Sequence, residues 1–113
     1  MSLEISTAEL ESALSRSNPP ILVEVLPPES YRKEHLPGAI NLPLEGFAAA
    51  ARTALPDPRA EVVLYCASAT CANSHTAAKK LEELGYQSVR VYSGGKAAWR
   101  DAGLAFEAAQ LTA

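Results

Sequence analysis

The chain has 113 residues, 48% hydrophobic and 20% charged, with a formal net charge of −3. Those values suit one globular domain with one core, residues 1–113 with the packed part about 4–107. They exclude the basic footprint that nucleic acid or an anionic membrane selects.

No apolar run reaches the length of a transmembrane helix. Met1-Ser2-Leu3-Glu4 lacks the basic and apolar regions of a signal peptide, so the expected compartment is the cytoplasm. Both cysteines, Cys66 and Cys71, fall in one loop. A disulfide framework would spread them along the chain, so clustering argues for reactivity or metal binding.

In chain order, Ser6-Thr7-Ala8-Glu9 reads as a capping box opening a short helix that buries Leu10, Ala13 and Leu14. Ser17-Asn18-Pro19-Pro20 stops it. Ile21–Leu26 is apolar at almost every position, the pattern of a strand covered on both faces. Pro28 suits the first turn of a helix through Glu29–His35. Pro37-Gly38 turns into a short strand, Ala39–Leu42. A helix over Leu44–Ala54 is expected to point Leu44, Phe47, Ala48, Ala51 and Leu55 inward.

Val62–Tyr65 is the most strand-like run, and it ends at Cys66. Seven uncharged residues follow: Ala67, Ser68, Ala69, Thr70, Cys71, Ala72 and Asn73. Ser74 or Asn73 is the expected N-cap of the next helix, whose inward face carries Ala77, Ala78, Leu81 and Leu84. Gly85 ends that helix, Ser88–Tyr92 is a strand, and Ser93-Gly94-Gly95 turns into a last helix holding Trp99. The tail from Glu107 is expected to be loosely held.

Strands and helices alternate throughout, which calls for a mostly parallel sheet with helices on both faces. Ligands in such sheets sit beyond the C-terminal strand ends, and Cys66 is at one. Backbone N–H groups at a helix start favour a thiolate, so Cys66 is the candidate nucleophile.

Three runs resemble the rhodanese-like family. They are His35-Leu36-Pro37-Gly38-Ala39-Ile40-Asn41, the Tyr65-Cys66 loop leading to Ser74, and Gly94-Gly95-Lys96-Ala97-Ala98-Trp99 followed by Gly103-Leu104. The resemblance implies a five-stranded parallel sheet flanked by helices. It also implies sulfur transfer through a cysteine persulfide, which maps onto Cys66, from a small-molecule or protein donor to a thiophilic acceptor. Two departures stand out. Glu24-Val25-Leu26 replaces the family's frequent Asp-x-Arg, and the longer loop holds Cys71 but no Arg. A longer loop resembles the phosphatase and arsenate-reductase relatives, which clamp an oxyanion with Arg. No Arg or Lys lies between Cys66 and Lys79, so that branch is disfavoured and weak capture of free thiosulfate is expected.

The backbone amides of Ala67 to Asn73 are expected to stabilise the persulfide. Cys71 has three readings: a resolving thiol, a sulfur relay, or a small soft loop residue. Cys66, Cys71 and His75 supply at most three metal ligands, short of a closed zinc site, and no cofactor is implied. His75 reads as a helix-surface residue and His35 as structural; Trp99 reads as core or a wall of the site. Gly94 and Gly95 make a tight turn without the third glycine of a dinucleotide fingerprint. The rival functions are a non-catalytic binding or redox-sensing module and a thiol–disulfide oxidoreductase using both cysteines. An exposed, acid-shifted Cys66 favours the enzyme, and a buried, inert one the module.

Overall fold

A computed structural model describes residues 3–108. Five strands form one sheet: β1 (Leu3–Glu4), β2 (Ile21–Glu24), β3 (Ile40–Asn41), β4 (Glu61–Tyr65) and β5 (Ser88–Tyr92). Their order is β1-β5-β4-β2-β3, and every pairing is parallel. The helices are α1 (Thr7–Leu14), α2 (Pro28–Lys33), α3 (Phe47–Ala54), α4 (Asn73–Glu83) and α5 (Gly95–Asp101).

Alternate strand residues feed two separate cores, because successive side chains point to opposite faces. Val23, Val62, Leu64, Val89 and Val91 pack with Phe47 and Ala51 of α3 and Ala77, Ala78 and Leu81 of α4. Leu22, Val63, Tyr65 and Tyr92 pack on the other face with Leu10 of α1 and Trp99 of α5. Helices therefore cover both faces, as the alternating pattern requires.

The capping box forms as expected. Ser6 Oγ accepts from Glu9 N (3.1 Å) and Ser6 N donates to Glu9 Oε1 (3.0 Å). Ser6→Ala is expected to cost about 1 kcal/mol in thermal or urea unfolding, since it orphans a helix N–H. Leu10 is fully buried, whereas Ala13 and Leu14 are half-buried.

Several boundaries differ from expectation. The strand from Ile21 pairs regularly only to Glu24, although Val25 N still bonds Tyr65 O at 2.9 Å. The helix expected from Leu44 begins at Phe47, because Gly46 adopts a left-handed φ of 72° just before it. That shorter helix turns Ala48 to solvent and keeps Phe47 and Ala51 inside. The helix after Pro28 stops at Lys33, so His35 lies beyond it. β1 has no counterpart in the sequence reading; two exposed residues are too few for a period to show.

The tail expected to be loosely held from Glu107 lies mostly outside the described residues, but Glu107 itself is tied down. His35 and Glu107 exchange both backbone hydrogen bonds, at 2.8 and 2.9 Å, and Glu107 Oε1 accepts from Gly38 N at 3.0 Å. His35 is buried, stacks on Tyr31 and bonds Tyr31 O through Nδ1 at 2.7 Å. It holds the loop after α2 in place, a structural role.

Candidate active site

The strand order creates a switch point. The connection from β2 runs through α2 to β3, and that from β4 runs through α4 to β5, on the opposite side. The crevice beyond the C-terminal ends of β2 and β4 is where such sheets bind ligands. Cys66 directly follows β4 there. Asn73 spans the crevice, its Nδ2 donating to Val25 O at 3.2 Å.

α5 pins the base of the cysteine loop. Lys96 N donates to Cys66 O (3.1 Å) and Ala97 N to Ala67 O (3.0 Å). This close approach requires Gly95, where φ is 60° and an added Cβ would lie 2.3 Å from Cys66 O. The tight turn read from Gly94-Gly95 is thus also a backbone contact with the loop.

Cys66 is only 1% exposed. Its Sγ donates to Cys71 O at 3.2 Å and lies 3.4 Å from Ser74 Oγ. Burial pushes the Cys66 thiol up, and the adjacent Cys71 thiol adds to this. The Ser74 hydroxyl and backbone N–H pull the other way without overcoming it. Cys71 is half-buried. Burial also opposes its ionisation, but the Cys66 thiol and the backbone N–H groups of Asn73 and Ala67 hold its pKa below the usual thiol value.

The loop amides therefore do not converge on Cys66 alone. Those of Ala67 and Asn73 face Cys71, that of Ser74 faces Cys66, and that of Cys71 is spent on Ser68 O at 3.1 Å. Ser68 and Thr70 bond each other through their hydroxyls at 2.9 Å, while Ala67, Ala69 and Ala72 are exposed.

Ser74 is not the helix cap that its position suggested. The helix starts at Asn73 with Ala72 as N-cap and no side-chain capping bond. Ser74 falls in the first turn, buried, with its hydroxyl turned to Cys66. Asn73 is itself the first helical residue, so it is not the cap either, and its Nδ2 donates to Val25 O. His75 is exposed on α4. Among the described residues no three His, Cys, Asp or Glu side chains gather as metal ligands.

Sequence reasoning missed a buried charge pair beneath the site. Glu24 is fully buried and Lys96 nearly so, at 0% and 7% exposure. Lys96 Nζ lies 3.1 Å from Glu24 Oε2 and donates to Ser30 O at 2.9 Å. Tyr65 Oη donates to Glu24 Oε1 at 2.7 Å and accepts from Leu36 N at 3.0 Å. Burial and the Glu24 carboxylate push the Tyr65 hydroxyl well above its ordinary value, so it stays a donor. The basic residue missing after Glu24 is thus supplied from α5, but it is directed to Glu24 rather than to the loop. The signal was present as an isolated Lys inside an otherwise small and apolar run.

Residues 6–102 match the family model of the rhodanese-like domain. The chain belongs to the rhodanese-like family. This rhodanese-like domain is 38% identical over 74 residues to the thiosulfate sulfurtransferase PspE of Escherichia coli K12, covering 66% of this chain and 69% of that one. It is 34% identical over 103 residues to the adenylyltransferase and sulfurtransferase UBA4 of Candida albicans, covering 86% of this chain but only 23% of that longer protein. Its fold matches the human single-domain sulfurtransferase TSTD1 with a TM-score of 0.77 at 26% identity, over 89% of this chain and 97% of that one. The family and five-stranded fold implied by the three sequence runs are those observed.

The contrast between the two thiols of this rhodanese-like domain is testable. Iodoacetamide at neutral pH is expected to label Cys71 first, roughly tenfold or more faster than Cys66, because thiolate character and access both favour it. Cys66 labelling should rise only as pH climbs above the ordinary thiol range. Peptide mass mapping over time reads both; preferential labelling of Cys66 would contradict the loop geometry.

Proposed function

We propose that this domain is a sulfurtransferase that carries sulfane sulfur as a persulfide on Cys66. The observation that carries the reading is the position of Cys66. It follows the central strand at the switch point of a rhodanese-like sheet, with the Ser74 hydroxyl and amide on its sulfur. Similarity to a thiosulfate sulfurtransferase supports the same reaction class.

In loading, the Cys66 thiolate attacks the sulfane sulfur of the donor. A Cys66–S–S⁻ persulfide forms and the donor leaves as sulfite or as a thiolate. In discharge, a thiophilic acceptor attacks the outer sulfur and Cys66 leaves as thiolate. The resting thiol donates to Cys71 O, and a carbonyl repels an anion. Ionisation of Cys66 gives up that bond and leaves the Ser74 hydroxyl and amide as the donors to its sulfur.

The loop between Cys66 and Ser74 holds no cationic side chain. A dianion such as thiosulfate gains little there, so the preferred donor is a protein or low-molecular-weight persulfide. A cytoplasmic setting, where thiols stay reduced, suits this chemistry. Catalytic efficiency with thiosulfate is expected to be at least about tenfold below that with a persulfide donor, by the worth of one charge-assisted hydrogen bond. Equal efficiencies would remove the charge argument.

Intact mass after exposure to a persulfide donor tests the carrier role. One added sulfur is expected on Cys71→Ser, where the second thiol cannot discharge it, and none on Cys66→Ser. A second reading, a non-catalytic binding or redox-sensing module, is favoured by the burial of Cys66 and its raised pKa. No added sulfur in either protein would select it.

A further inference from the structure

The carrier role leaves the second thiol unused, yet Cys71 is placed against the carrier sulfur. Cys66 Sγ is 3.2 Å from the Cys71 carbonyl, and both cysteines are free thiols. The four intervening residues, Ala67, Ser68, Ala69 and Thr70, are small and uncharged. Cys66 is 1% exposed, while Cys71 is half-buried. An external thiol must open the loop to reach the inner sulfur of a Cys66 persulfide; Cys71 already lies beside it. An attacker held in place acts at a far higher effective concentration than one in solution.

We propose that, once Cys66 is loaded, Cys71 attacks the inner sulfur of the persulfide, releases hydrosulfide and leaves a Cys66–Cys71 disulfide. The domain then acts as a sulfide-releasing persulfide reductase. This rests on the carrier reading of Cys66. The Cys71 sulfur forms a bond to Cys66 Sγ, and the bond from Cys66 Sγ to the terminal sulfur breaks. The terminal sulfur leaves with the electron pair and takes the proton given up by the Cys71 thiol, so it departs as HS⁻. In this step the Cys71 sulfur is oxidised and the terminal sulfur is reduced; over loading and release together both cysteine sulfurs are oxidised by the sulfane sulfur, so no further oxidant enters. A dithiol reductant then reopens the disulfide by exchange and is itself oxidised.

The structure favours this route over outward relay for two reasons. The Cys71 main chain meets Cys66 Sγ, the sulfur that becomes the inner one on loading, at 3.2 Å. The Cys71 thiol also has the more thiolate-like surroundings, with two backbone N–H groups directed to it.

The test gives one equivalent of glutathione persulfide anaerobically to reduced wild type, Cys71→Ser and Cys66→Ser, and reads intact mass and free sulfide. Cys71→Ser is expected to gain one sulfur and keep it. Wild type is expected to end two hydrogens lighter, with about one equivalent of sulfide released, and to return to its starting mass with dithiothreitol. Wild type that stays one sulfur heavier, without sulfide, overturns the proposal and leaves the carrier reading intact. A Cys71→Ser protein that gains no sulfur overturns the carrier reading, and this proposal with it.

Discussion

Replacing Lys96 with Met is expected to lower the unfolding free energy by about 3–5 kcal/mol, the usual cost of stranding one member of a buried ion pair. Glu24 is fully buried, and among the described residues its Oε2 takes no hydrogen bond; the Lys96 ammonium at 3.1 Å is what compensates it. Without that ammonium the carboxylate must stay charged in an apolar layer or take up a proton. A small domain has about 5–15 kcal/mol of total stability, so the loss is a large fraction of it. Urea unfolding of Lys96→Met, Glu24→Leu and the double variant reads the effect. The double variant should recover most of the loss, since apolar replacements of such pairs are often neutral. Additive losses would mean that the pair is not coupled as the 3.1 Å contact implies.

Gly95→Ala is the second large effect. Two costs combine at this position. The left-handed φ of 60° disfavours any Cβ by about 1–2 kcal/mol, and overpacking typically adds about 1–3 kcal/mol. The second arises because the Cβ would lie 2.3 Å from Cys66 O and 3.0 Å from the Ala67 carbonyl carbon, both backbone atoms. Relief requires α5 to move away from the cysteine loop. That breaks the bonds from Lys96 N and Ala97 N that hold its base. A loss of about 2–5 kcal/mol is expected, together with a fall in sulfur loading of Cys66. Gly103→Ala separates the two costs. Gly103 has φ of 77° but nothing within 4 Å of its Cβ position, so only the conformational cost remains. Equal losses at both positions would show that the close approach to the loop carries no weight.

Both effects come from residues that a sequence reading assigns to a turn and a helix, beside a cysteine that it assigns to the chemistry. Their weight lies in contacts between segments far apart in the chain. Glu24 and Lys96 belong to β2 and α5, and Gly95 meets a loop that begins at Cys66. No local period encodes such contacts.

What the sequence determined by itself was what local physics controls. Ser6 and Glu9 reach each other across one helical turn, so the capping box forms wherever the helix forms. The strands at residues 21–24, 62–65 and 88–92 fall within the apolar runs that mark them, and β4 places successive residues in opposite buried layers, because a strand has only two faces. The alternation of strands and helices leaves few topologies, and the apolar run that ends at Tyr65 puts Cys66 at a strand end. The tertiary structure decided the rest. It made Leu3–Glu4 a strand by placing it beside β5, and it tied Glu107 to His35. It set the start of α4 at Asn73 and directed the Ser74 hydroxyl to Cys66 instead of to a helix cap. It also divided the loop amides between two thiols, burying Cys66 and leaving Cys71 the more acidic. A thiol's acidity depends on every dipole and apolar group within a few ångströms, and those neighbours are chosen by folding rather than by chain order.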